Sequence, residues 1–230
     1  MGMNTPDLWK GLFQHTLLLI DDVLERGTKN LYWTFGGGTV LMLRHNHRFS
    51  KDIDIFVPDP QALGYVTPRL SSRAEALTTE YTEAANFVKL FLPEGEIDFV
   101  ASPNLTINPY VTQELLGREV KVETSAEIIA KKFFHRGNRL TARDMFDFAL
   151  VAEKEPEALE CAGPFLIKHI DTILVQLQTN AEQLKIQFDA IHTLDYTPTY
   201  EHAAELLAER LREFKSKSAA EPKSGSDLAS

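Results

Sequence analysis

Lys51 to Val57 alternates charged and apolar side chains, as Asp52, Ile53, Asp54 and Ile55. A period of two admits a strand with one apolar face, and such a strand needs a sheet and a covering layer to bury that face. The same geometry places the acids. Carboxylates at i and i+2 of a strand share a face with their Cα atoms roughly 6.5 to 7 Å apart, so both reach one site able to hold divalent cations. Two hard oxygen ligands suit magnesium. The competing reading is a solvated edge strand with its charges in water.

Upstream, a short apolar stretch from Leu31 to Phe35 runs into Gly36, Gly37, Gly38 and Thr39, and Val40 to Arg44 then has helical composition. This reads as a strand or short approach, a glycine turn and a helix start. Backbone N–H groups of a glycine-rich loop at a helix N-terminus can approach and cradle a triphosphate. Taken alone, three glycines indicate only a tight turn; followed by Asp52 and Asp54, they point to phosphate and metal chemistry. Asp98 lies in Glu96 to Val100, where Ile97 and Phe99 take the core-facing side. Three carboxylates from two adjacent strands would make a two-metal site, one ion activating the attacking oxygen and the other holding the leaving phosphates.

The remaining elements set an α+β order. Leucines and other apolar residues recur at helical spacing from Leu8 to Glu25. Phe87 to Leu92 and Glu96 to Val100 read as strands joined by Pro93, Glu94 and Gly95, with another strand over Arg118 to Val122. Thr124 with Glu127, and Thr141 with Asp144, have capping-box spacing and open two helices. Further helices are expected over Pro164 to Gln178 and Pro198 to Phe214. The expected organisation is a sheet domain over residues 1–123, a helical C-terminal domain over 124–214, and a disordered tail over 215–230, whose Ser, Ala, Lys and Gly cannot offset their ordering entropy.

Charge narrows the function classes. A net charge of −9 argues against coating nucleic acid through a globally positive surface. Yet Lys131, Lys132, Arg136, Arg139 and Arg143 fall in a stretch without an acidic residue, a natural landing place for phosphate. His45 and His47 lack a third nitrogen or sulfur ligand nearby and are expected to face solvent or phosphate, and Arg44 and Arg48 to meet acceptor or phosphate. One cysteine, Cys161, excludes an intramolecular disulfide and a cysteine zinc cluster. No Walker loop or Gly-x-Ser-x-Gly turn is present. With no apolar stretch near the N-terminus approaching the roughly 20 residues of a membrane span, a soluble, unexported, cytoplasmic protein is expected.

Phe35 to Thr39 together with His47 to Phe56 resembles the signature of the AbiEii-like nucleotidyltransferases, toxin halves of abortive-infection toxin–antitoxin pairs within the polymerase-β-like superfamily. Glu127 to Lys132, with Arg143 to Phe148, is similar to that family's helical pair, a lysine on one helix and Arg-Asp-x-x-Asp on the next. The resemblance spans about Phe35 to Leu150. It implies a polymerase-β-like sheet domain followed by helices. It also implies a magnesium-dependent transfer of a nucleoside monophosphate from an NTP to an acceptor hydroxyl, typically of RNA such as the tRNA 3′ end. A cognate antitoxin is the implied partner.

By position, Gly37, Gly38 and Thr39 would hold the triphosphate, Asp52 and Asp54 magnesium, and Asp98 the third acidic place. Lys132, with Lys131 as the register alternative, would contact the nucleotide phosphates; Asp144 would take the last acidic place beside Arg143, with Asp147 as structural companion. Solvated-face and capping readings stand beside these for the lysines and Asp144. Rival functions are transfer to a small molecule or protein, and a nucleotide-binding module without turnover.

Overall fold

The computed structural model describes residues 7–26, 31–137 and 139–220. Contacts divide the chain into two units: one runs to Ile128 and adds Ile191–Thr197, the other comprises Ile129–Ala190 and the chain from Pro198. The division therefore falls inside a helix, five residues beyond the expected boundary at residue 123, and a short C-terminal segment belongs to the first unit.

In the first unit, α1 (Leu8–Glu25) is amphipathic as its spacing predicts and buries Trp9, Leu12, Phe13, Leu19, Ile20 and Val23. Seven strands follow around two more helices: β1 (Thr34–Gly36), α2 (Gly37–His45), β2 (Ile53–Val57), α3 (Ser72–Leu77), β3 (Tyr81–Ala84), β4 (Phe87–Leu92), β5 (Gly95–Ala101), β6 (Tyr110–Leu115) and β7 (Arg118–Glu123). They form one sheet in the order β3-β4-β5-β2-β1-β7-β6. β2 runs parallel to β5 and antiparallel to β1, and β1 runs parallel to β7.

The central strands of the sheet present one apolar face: Phe35, Ile53, Ile55, Val88, Leu90, Ile97, Phe99, Val120 and Val122 are buried. Phe35 meets α1 through Phe13, ring centroids 4.8 Å apart, and Trp9 at 6.4 Å. The alternation that buries these residues turns Asp54, Asp98 and Lys89 to the opposite face. The two edge strands, β3 and β6, were not expected from sequence; most of their residues are exposed, so they carry no apolar alternation.

The segment Ile191–Thr197 lies along the loop after α2. Phe49 N–H donates to the His192 carbonyl at 2.8 Å, Leu194 N–H to that of His47 at 2.9 Å, and Asp195 N–H to that of Asn46 at 2.8 Å.

Helix α4 (Ser125–Arg136) carries the chain across the division. Its capping box is half formed. Thr124 Oγ1 accepts the Glu127 N–H at 3.3 Å, while the Glu127 carboxylate turns away to accept Leu105 N–H, Thr106 N–H and the Thr106 hydroxyl at 2.7–2.9 Å.

The second unit is helical around α5 (Ala142–Lys154), which buries ten of its residues from Ala142 to Ala152. Around it lie α6 (Pro156–Leu166), α7 (Ile170–Thr179), α8 (Ala181–Asp189) and α9 (Tyr200–Ala220). The helix expected from Pro164 begins earlier, with Pro156 in its first turn, and is broken by a 3-10 turn over Ile167–His169. Proline is compatible with a first turn, and Pro156 takes that place while Pro164 lies inside the helix. α9 continues to Ala220, so Lys215–Ala220 are helical where a tail was expected. The rest of that expected tail, residues 221–230, lies outside the described residues. No helix among the described residues is long and apolar enough to cross a membrane.

Candidate active site

A row of residues crosses the polar face of the sheet. Lys89 of β4 pairs with Asp98 of β5, Asp98 with Asp54 of β2, and Asp54 with Gly36 of β1. Neighbouring strands lie about 4.8 Å apart, so side chains in such a row touch or nearly touch. The two aspartates are thus brought side by side by the β2/β5 register.

The environment of Asp98 shows the consequence. Its carboxyl titrates at about 6, raised first by burial and next by the charge of Asp54, against the opposing pull of Lys89. Lys89 Nζ lies 2.9 Å from Asp98 Oδ2 and also pairs with Glu96. Asp98 Oδ1 is buried with no hydrogen-bond partner.

Asp52 precedes β2, and its Oδ1 accepts the Glu96 N–H at 3.1 Å. Asp52 is therefore tied to the start of β5, while Asp54 and Asp98 form the facing pair. Among the described residues, no group of three or more His, Cys, Asp and Glu side chains is arranged to hold a metal ion.

The glycine run meets this row directly. No separate turn intervenes, because α2 begins at Gly37 itself. Gly37 has φ +73°, and a Cβ there would lie 1.9 Å from Asp54 Oδ2. Only glycine accepts both the left-handed backbone and the carboxylate against it. A Cβ at Gly36 would meet Glu123 Oε2 at 2.2 Å, and one at Gly38 would meet Arg48 Nη2 at 2.5 Å. The first turn of α2 is thereby packed between two carboxylates and a guanidinium. Thr39 is buried; its hydroxyl donates to the Asp52 carbonyl at 2.6 Å and hydrogen-bonds Ser50 Oγ at 3.0 Å, so it fastens α2 to the approach of β2.

His47 is fully buried, contrary to a solvent-facing place, because the Ile191–Thr197 segment covers its loop. Arg48 is buried as well. Arg44 holds Ser125 Oγ and the Glu123 carbonyl, each at 2.7 Å, and so acts within the fold.

In the second unit, Lys132 Nζ lies 2.9 Å from Asp144 Oδ1 and 3.0 Å from Asp147 Oδ2, all three buried. Asp144 also completes the cap: its N–H donates to Thr141 Oγ1 at 3.2 Å, and that hydroxyl donates to Asp144 Oδ2 at 2.7 Å. Its carboxyl is held below the usual range by Lys132 and Arg136, which overcome the larger upward push of burial. Lys131 is buried on α4, and Arg143 is exposed in the first turn of α5.

Sequence reasoning missed Lys89, Glu96 and Glu123. A signal for the first exists, since Lys89 is the lone charge in Phe87–Leu92 and sits opposite in parity to the buried Val88 and Leu90. Glu123, whose Oε1 accepts from Thr34 Oγ1 at 2.7 Å, closes β7 and carries no comparable signal.

Several solved structures align with this chain. A candidate nucleotidyltransferase from H. pylori aligns with TM-score 0.47 and 14% identity over 89% of this chain and 95% of its own. JHP933 from Helicobacter pylori gives 0.46 and 16% over 89% and 92%. ANT(2")-Ia, in complex with adenylyl-2"-tobramycin, gives 0.43 and 18% over 66% and 97%. No curated protein matches the sequence. The family described as nucleotidyl transferase AbiEii toxin, Type IV TA system, matches residues 18–220, nearly the whole of the described chain. With the glycine run, the paired aspartates and the helical Lys–Asp cluster all inside that match, the chain belongs to the AbiEii family of nucleotidyltransferase toxins.

Proposed function

We propose that this chain moves a nucleoside monophosphate from an NTP to a hydroxyl of RNA, such as the tRNA 3′ end, with magnesium as cofactor and an antitoxin as its cellular partner. The observation that carries the reading is the in-register pairing of Asp54 with Asp98 beside the positive-φ backbone of Gly37. Two adjoining carboxylates, one with a buried oxygen lacking any donor, form an arrangement that a hard cation would complete. Asp54 and Asp98 would hold that cation, with Asp52 on the strand approach; when bound, it supplies charge neutralisation at the phosphates and lowers the pKa of a coordinated hydroxyl.

The chain's own groups do the rest. Gly37 and Gly38 let the triphosphate come close to the N–H groups that open α2. Thr39 keeps that helix start in register with Asp52. Asp98 helps activate the acceptor hydroxyl, whose proton passes to water as its oxygen bonds to the α-phosphorus. The bond from that phosphorus to the bridging oxygen breaks, and pyrophosphate leaves. The family resemblance adds Lys132 and Asp144, with Lys131 and Arg143 beside them, as groups handling the nucleotide.

The toxin part of the proposal rests on the family's description, and the RNA acceptor on what the motif resemblance to that family implies. The test is incubation of the purified chain with α-labelled NTPs, magnesium and total RNA. Label should enter RNA of tRNA size, and Asp54→Asn should abolish this while leaving the circular dichroism spectrum unchanged. Label entering no RNA with any NTP would sink the RNA acceptor, and label undiminished in Asp54→Asn would sink the site.

A further inference from the structure

The site face holds a cation of its own, and neither the motifs nor the family match assigns it a place. Lys89 stands one strand from Asp98 and two from Asp54 in the same lateral row. Its ammonium is 2.9 Å from Asp98 Oδ2 and is shared with Glu96. The remaining oxygen of Asp98, Oδ1, is buried and has no partner. One oxygen of this carboxylate is therefore already neutralised by protein, while the other has no donor, and Asp54 stands in register on the next strand.

We propose that Lys89 is a built-in counter-ion of the Asp54–Asp98 pair, and that it makes occupancy by a divalent cation depend on the negative charge of the incoming triphosphate. The inference rests on the cation site proposed above. A cation held by the pair would sit within roughly 5–6 Å of the Lys89 ammonium, given the strand spacing. At that distance a single charge and a double charge repel enough, in a half-screened setting, to weaken binding about tenfold or more. With no nucleotide bound, Lys89 satisfies part of the carboxylate charge and discourages free cations. A triphosphate brings several negative charges, offsets the repulsion and carries its cation in. Lys89 acts here as a positioning residue, since it touches Asp98 and not the reacting atoms. Glu96 matters because it gives the ammonium somewhere to remain when Asp98 turns to the cation.

The experiment is a Mn2+ titration followed by the electron paramagnetic resonance of the free ion, with full-length protein and no nucleotide. Wild type, Lys89→Met, Lys89→Arg and Asp54→Asn are compared, each first checked for a cooperative thermal transition. Lys89→Met should bind Mn2+ about tenfold more tightly than wild type, Lys89→Arg should match wild type, and Asp54→Asn should lose the binding. Adding a non-hydrolysable NTP analogue should narrow the gap between wild type and Lys89→Met. An unchanged or weakened affinity in Lys89→Met, with binding still lost in Asp54→Asn, overturns the counter-ion role alone. Mn2+ binding indifferent to Asp54→Asn overturns it together with the cation site. If Lys89→Met proves unstable, Lys89→Gln carries the same prediction, since it removes the charge and keeps a polar contact to Glu96.

Discussion

Asp98→Asn should make the free protein more stable at the pH where it should also make it inactive. The substitution keeps the side chain's shape and removes its charge. In the folded chain this carboxyl titrates at about 6 and not at 3.8, because burial and the neighbouring Asp54 disfavour the ionised form. Below pH 3.8 the group is protonated in both folded and unfolded chains and imposes no penalty. Between 3.8 and about 6 the unfolded chain releases its proton first, so stability falls as pH rises through this window, and above about 6 the penalty is complete.

At about 1.4 kcal/mol for each tenfold in proton affinity, the full effect is roughly 3 kcal/mol. The side chain retains 20% exposure and Lys89 keeps Glu96 as a partner, so a net gain of roughly 2 kcal/mol is the expected figure. Urea unfolding of wild type and Asp98→Asn in the presence of a chelator, at pH 4, 5.5 and 8, measures it. The stabilities should nearly coincide at pH 4 and separate by pH 8 in favour of the variant. An Asp98→Asn protein no more stable than wild type at pH 8 would refute the picture of a strained, desolvated carboxylate pair.

Gly37→Ala should lower nucleotidyl transfer at least about a hundredfold, since its Cβ would displace Asp54 and even an ångström of misplacement costs that much; a kinetic assay with near-normal rates would exclude the close approach. Lys132→Met should destabilise the second unit by roughly 3–5 kcal/mol, leaving Asp144 and Asp147 buried without their cation. Denaturation should show most of that loss recovered in Lys132→Met/Asp144→Asn/Asp147→Asn. Leu194→Pro removes the N–H that binds the His47 carbonyl. Hydrogen exchange at Phe49 should accelerate and transfer should fall, although position 194 lies far beyond the motifs; unchanged exchange would show that the Ile191–Thr197 segment does not hold the loop.

Local pattern made much of the fold legible. Helix α1 and strand β4 have the bounds that periodicity predicts, since each buries one face against the core and the burial is written into the spacing of apolar residues. The glycine run and Asp54 were legible for the same reason: a β1–α2–β2 unit of about two dozen residues fixes them by short-range geometry. The β3 and β6 edges were not, because exposed strands need no alternation. Helix α8 was missed because it buries only Leu184 and Phe188, too few to mark a face.

What the sequence determined by itself, then, is which residues face a core and which stand on the opposite side of each strand, since alternation and helical period are properties of the single chain. Which of those outward residues meet one another was decided only in three dimensions. The parallel register of β2 with β5 sets Asp54 against Asp98, β4 delivers Lys89 to the same row, and the Glu96 N–H at the start of β5 binds Asp52. Lys132 is buried and engaged by Asp144 and Asp147, a pairing with both carboxylates that its spacing did not reveal. Pairing energy depends on distance and desolvation between segments far apart in the chain, and neither is encoded in the order of residues along any one of them.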